Sequence, residues 1–131
     1  MKRTALKRSQ PLTRSKPLRK RAARRITSMT VEDRLFLAWL HDQACYGKDL
    51  IIGHVCEGPI QQAHLRNQTG LGLKEPVQSS APLCRGLHSA YDEHRAPFRS
   101  WTREARLTWM SAAVAFCQGA FRRWMDGRAA A

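Results

Sequence analysis

Leu83-Cys84-Arg85-Gly86-Leu87-His88-Ser89-Ala90-Tyr91-Asp92 is the stretch on which the fold turns. It reads as the end of a strand passing into a short helix that runs to about Arg95 and that Pro97 closes. On that helix His88 and Asp92 are four residues apart and project from one face, about one turn from each other. An imidazole and a carboxylate so placed can bite a divalent ion while leaving positions for phosphate oxygens and water. The plainer alternative is a surface His–Asp pair worth roughly a few tenths of a kcal/mol.

Widening the window to residues 45–94 adds Cys45, His54, Cys56, His64 and His94, so that three of the four cysteines and four of the five histidines fall within it. Cysteine and histidine gathered in a glycine- and proline-rich stretch point to metal binding. The second chemical piece is Ala63-His64-Leu65-Arg66-Asn67. A neutral imidazole near its unperturbed pKa of about 6.5 is a suitable base for drawing a proton from water. Arg66, two residues on, shares a strand face with His64 and can hold a phosphate. For His64 the plainer outcome is a satisfied buried histidine.

Around this centre the chain reads as α+β. Thr30 can cap a helix over 31–44, with Glu32 and Asp33 in its positive first turn and Leu35, Trp39 and Leu40 near one face. Residues 45–60 read as loop plus a short strand over Leu50-Ile51-Ile52, and residues 60–66 as a second strand. A glycine-rich loop over 69–74 follows, and Pro76 and Pro82 bracket an irregular stretch. Ser100 can cap a last helix over 101–125, whose Trp101, Ala105, Trp109, Ala112, Ala113, Phe116, Ala120 and Trp124 fall along one stripe.

The chain has 131 residues, one domain's worth, and 23 Lys and Arg against 10 Asp and Glu, a net charge of +13. Residues 1–25 hold 11 of those basic residues and no acid, leaving 12 against 10 for the rest. Residues 6–20 repeat a Pro-Leu hexapeptide, with Pro11 and Pro17 opposing helix, so residues 1–27 are expected to be a disordered basic arm. Lys7, Arg8, Arg14, Lys16, Arg19, Lys20, Arg21, Arg24 and Arg25 suit phosphate contacts without base preference. The longest apolar run, Leu35–Leu40, is far too short to span a membrane, and no apolar segment follows the basic start as a secretory signal requires. No membrane partner is expected, and thiols or metal ligands are expected in preference to disulfides.

Cys45, ten residues, Cys56-Glu57-Gly58-Pro59, then Ala63-His64-Leu65-Arg66, then Gly72-Leu73-Lys74 with Pro76, then Leu83-Cys84 followed by His88 and Asp92, form an ordered set. It resembles the small phage and prophage nucleases of the YbcO and Ref type, a branch of the HNH (ββα-metal) endonucleases, over roughly residues 45–95. The resemblance implies a ββα-metal core (about 45–96) inside a nuclease domain over 28–131, with residues 50–66 as the two strands, 85–95 as the helix, and the flanking helices covering it.

It also implies roles. His64 would activate the attacking water, His88 and Asp92 would hold a catalytic divalent ion (Mg, Mn or Zn), and Arg66 or Lys74 would offset charge on the phosphorane. Relatives carry a Cys quartet for a structural zinc. Cys45, Cys56 and Cys84 match three of its positions, but the fourth is Leu87. Either His54 or another donor completes the site, or the zinc has been lost to apolar packing. Ala63 stands where many relatives have a metal ligand, so His64 could instead join His88 and Asp92 on the ion. The expected activity is metal-dependent hydrolysis of DNA phosphodiesters in the cytoplasm of a bacterial host, with a recombination protein as an imaginable partner. The rivals are a zinc-stabilised basic nucleic-acid-binding protein that does not cut, and a structural RNA-associated protein.

Overall fold

The computed structural model describes residues 29–65 and 76–131. The expectations for the basic arm, for Arg66, Asn67 and Lys74 and for the 69–74 loop lie outside the described residues. Those described form an α+β arrangement of three α-helices, one 3-10 turn and a two-stranded antiparallel sheet.

Helix α1 covers Val31–His41. Thr30 Oγ1 accepts the Asp33 amide at 3.1 Å while Asp33 Oδ2 accepts the Thr30 amide, a reciprocal cap that satisfies two otherwise orphaned donors. The helix stops three residues before the expected end. Gln43 Nε2 donates back to the Trp39 carbonyl at 2.8 Å, and the chain turns so that Tyr46 N–H reaches the Pro82 carbonyl, also at 2.8 Å. Leu50-Ile51-Ile52 is not a strand. Backbone bonds from Lys48 to Cys45, Ile51 to Gly47 and His54 to Ile51 close local turns there instead, and only Ile51 of the three is buried.

The sheet pairs β1 (Ile60–His64) with β2 (Ser80–Cys84), Ile60 opposite Cys84 and His64 opposite Ser80. Thus β2 begins inside the stretch that Pro76 and Pro82 mark as irregular and ends at the strand end expected from Leu83. The register explains how Pro82 is accommodated. Leu65 N–H donates to Ser79 and Arg85 N–H to Pro59, so alternate pairs in between exchange hydrogen bonds and the Gln62–Pro82 pair does not. The missing proline donor faces away from β1, as an edge strand allows.

Helix α2 (Arg85–Asp92) follows β2 without a linker, capped by Cys84, whose sulfur accepts the Leu87 amide. It ends in a tight turn in which Arg95 N–H returns to the Ala90 carbonyl and His94 takes the left-handed φ of 53°. A 3-10 turn over Phe98–Ser100 then intervenes, and Thr102, not Ser100, caps helix α3 (Arg103–Ala129), because Ser100 is still inside that turn.

Two apolar clusters meet along α3. Met110, Ala113 and Val114 pack with Ala63, Ala81, Leu83, Leu87 and Ala90 of the strand–helix unit, and Cys117 and Phe121 pack with Phe36, Trp39 and Leu40 of α1. The buried stripe is therefore 110/113/114/117/121. It is rotated from the expected one, in which Ala105, Ala112 and Phe116 turn out exposed. Trp109 and Trp124 sit on its shoulders, where Trp109 meets Tyr46, Tyr91, Phe98 and Trp101 edge-on or tilted and Trp124 stacks on Phe121. Among the described residues no helix is long and apolar enough to cross a membrane.

Candidate metal centre

Cys45, His54, Cys56 and Cys84 converge at the N-terminus of α2, their four ligand atoms all within 4.8 Å of one another. Three loop residues and one strand-end residue meet because the turns over 45–54 fold the loop back on the strand–helix junction. Gly53 makes this possible: at φ +76° it reverses the chain immediately before His54, a conformation that L side chains rarely adopt. His54 Nε2 lies 3.4 Å from Cys84 Sγ, 3.6 Å from Cys56 Sγ and 3.9 Å from Cys45 Sγ. A tetrahedral zinc, with bonds of about 2.3 Å to sulfur and 2.0–2.1 Å to nitrogen, sets sulfur and nitrogen about 3.6 Å apart. The observed separations straddle that value. Three thiols and one imidazole of this spacing can hold such an ion, and His54 supplies the fourth donor.

The thiols are prepared unequally. Burial pushes Cys45 up to about 11 despite the amides of Cys84 and Gly47 that hydrogen-bond it. Cys84 is also penalised by burial, but the backbone bonds from Glu57 and Leu87 and the neighbouring Cys45 and Cys56 thiols outweigh this and hold it below the usual thiol range. The amide of Cys84 donates to Cys45 Sγ at 3.3 Å and that of Leu87 to Cys84 Sγ at 3.4 Å, bonds that stabilise sulfur as thiolate. Leu87, in the place of a fourth cysteine, is instead buried in the core. Its Cδ2 is so close to Gly47 that a Cβ there would stand 2.3 Å from it.

One turn further along α2, His88 Nε2 faces Asp92 Oδ2 at 3.5 Å, with both side chains partly accessible. The sequence reading missed the residue that organises this pair. Gln61 of β1 accepts from His88 Nδ1 at 2.9 Å through its amide oxygen. That bond assigns the proton to Nδ1 and leaves the Nε2 lone pair directed toward the carboxylate side. This is the arrangement that outer partners impose on metal-binding histidines. Two donors of a tetrahedral zinc with bonds near 2.1 Å are about 3.4 Å apart, so the pair is spaced as neighbouring ligands. The alternating strand pattern gave a hint of Gln61, since it shares a face with Ala63, but nothing in the sequence fixed its partner.

His64 is at the C-terminal end of β1, half-buried, on the strand face of Gln62 and Ser80, whereas Gln61 and Ala63 share the opposite one. Ala63, 1% exposed, packs in the cluster that contains Leu87 and Ala90 and so contributes apolar contact at the position where a ligand was considered. Among the described residues, the group formed by Cys45, His54, Cys56 and Cys84 is the one set of three or more Cys, His, Asp or Glu donors that meets within 4.8 Å; His64 does not form such a group with His88 and Asp92. His94 joins neither set.

No family model matches this chain, and neither a curated protein nor a solved structure does.

Proposed function

We propose that the chain is a metal-dependent DNA endonuclease of the HNH type, in which a zinc held by Cys45, His54, Cys56 and Cys84 braces a ββα unit and His88 with Asp92 holds the catalytic ion. The observation that carries this reading is the His88–Asp92 pair with Gln61 behind it: a helical imidazole whose Nε2 is turned toward a carboxylate by a hydrogen bond from its other nitrogen. The order antiparallel strand, antiparallel strand, helix, with Cys84 as the hinge between the last two, supports this reading, although the strands are 60–64 and 80–84 and not both within 50–66 as expected.

A divalent ion at His88 and Asp92 would supply Lewis-acid polarisation of the scissile phosphate and stabilisation of the leaving 3′ oxygen. The chain's own part is positional and electrostatic. Gln61 fixes the imidazole tautomer of His88. Arg66 or Lys74 offsets the charge that accumulates on the phosphorane, and His64, which lies on the strand face opposite Gln61, is left out of the reaction at this pair. The four-ligand site has no open position for substrate and serves stability. The basic arm tethers the enzyme to the phosphate backbone without reading bases.

The test is nicking of a supercoiled plasmid with Mg²⁺, Mn²⁺ or Zn²⁺ supplied in turn. Metal-dependent nicking that His88→Ala and Asp92→Ala each abolish is the expected result. Plasmid retardation with no nicking under any metal refutes hydrolysis and leaves a zinc-stabilised binding protein.

A further inference from the structure

Beside the His88–Asp92 pair lies a cavity of about 260 Å³ lined by Tyr91, Asp92, His94, Arg103, Arg106 and Leu107. The turn after α2 and the first turns of α3 form it, and none of its basic residues takes part in the chemistry proposed above. Arg106 is half-buried, and its Nε is shut off from solvent with no hydrogen-bond partner among the described residues. The guanidinium still brings its positive charge to the cavity lining, and a positively charged concavity favours an anion. Arg103 brings a second guanidinium, while Asp92 is the one carboxylate in the lining. Glu93, next in sequence, is bound to Arg95 at 2.7 Å. Tyr91 and Leu107 give the remaining wall an apolar surface.

We infer that this cavity is a phosphate subsite, in which Arg103 and Arg106 grip a backbone phosphate of the nucleic-acid strand next to the one presented to His88 and Asp92. The inference rests on the proposed nuclease function for its choice of ligand. The planar guanidinium fork matches phosphate oxygens two at a time, and the Tyr91 and Leu107 wall suits an adjoining sugar. Asp92 lies on the boundary, shared between the cavity and the pair, so a strand seated here is led across the pair.

The experiment measures binding of a short fluorescently labelled duplex by anisotropy across a salt series. Ca²⁺ replaces the catalytic metal, and wild type is compared with Arg103→Gln/Arg106→Gln. The double variant should bind about tenfold more weakly at low salt, as removal of charged hydrogen bonds implies. Its plot of log affinity against log salt should be shallower by about 0.9 for each phosphate that is no longer neutralised. Inorganic phosphate should compete only weakly. Unchanged affinity and slope in a variant that melts like wild type overturns the subsite. So does arginine-dependent capture of inorganic phosphate with duplex binding intact, which would mark a small-anion site. Should the double variant fail to fold, Arg103→Gln alone, at an exposed position, gives the same readout. A chain that never nicks yet loses duplex affinity with its arginines removes the hydrolytic reading and keeps the subsite. Normal nicking and binding with both arginines replaced does the reverse.

Discussion

Removal of metal from the Cys45/His54/Cys56/Cys84 site should cost this chain a large part of its stability. A bound ion cross-links four residues, and its three cysteines close a 12-residue segment from Cys45 to Cys56 and a 29-residue segment from Cys56 to Cys84. Treated as cross-links that restrict the unfolded chain, loops of these lengths contribute about 3 and about 3.5 kcal/mol. Binding to the unfolded chain and strain reduce the sum, so about 3–6 kcal/mol is the expected loss. A small domain has only about 5–15 kcal/mol in all. The folded body is near one hundred residues, for which about 1 kcal/mol moves the melting temperature by roughly 4–8 °C. Chelation should therefore lower Tm by at least about 12 °C, and elemental analysis should give one zinc per chain. Cys84→Ser should lose the zinc and melt like the chelated protein. His54→Ala should keep a weakened three-thiol site and fall between the two. His88→Ala/Asp92→Ala should retain its zinc, because those residues belong to the other site. A chelated protein that melts with the untreated one, or a Cys84→Ser protein with undiminished zinc, would show that these four side chains only pack against one another.

Replacing Gln61 with Leu removes the acceptor that orients His88. Divalent-ion affinity at the His88–Asp92 pair, measured by calorimetry, should drop about 10- to 100-fold with little change in Tm. Gly47→Ala places a methyl group 2.3 Å from Leu87 Cδ2, with Ile51 also in the way, and should destabilise the fold by about 1–3 kcal/mol in urea denaturation. The alkaline limit should trace to Cys117, which burial pushes from 9.0 up to about 11. The folded chain holds this proton where the unfolded chain releases it, so the stability is intact below pH 9 and falls as the pH rises to 11. The total is about 2–3 kcal/mol. Zinc-loaded Cys117→Ala, compared with wild type at pH 8 and pH 11, should show a flatter decline.

Much of the local structure was legible in the residues. Thr30 with Asp33 marked a helix start, Cys84 through Asp92 marked a strand running into a helix, and three cysteines among histidines marked a metal-binding region. Each of these depends on contacts a few residues apart or on chemistry inherent in the residue type. The start of the strand that ends at Cys84 was hidden because Pro82 argues against a strand until its partner and register are known. The strand expected over Leu50-Ile51-Ile52 failed because β-branched residues can also serve turns, and local hydrogen bonds won there. The aromatic stripe on the last helix drew attention to Trp109 and Phe116, whereas smaller residues one position away occupy the interface.

Composition and spacing alone determined that this chain carries a strongly basic N-terminal segment, an α+β body and a set of side chains able to bind a metal. Tertiary structure decided which of them act together. His54 is placed among three sulfurs by a backbone reversal at Gly53, Leu87 is turned into the core against Gly47, and Gln61 is brought from another strand to His88. Those choices rest on close contacts between residues up to 39 positions apart, such as the 3.3 Å bond from the Cys84 amide to Cys45. A linear pattern names candidate ligands but has no means of setting the distances between them.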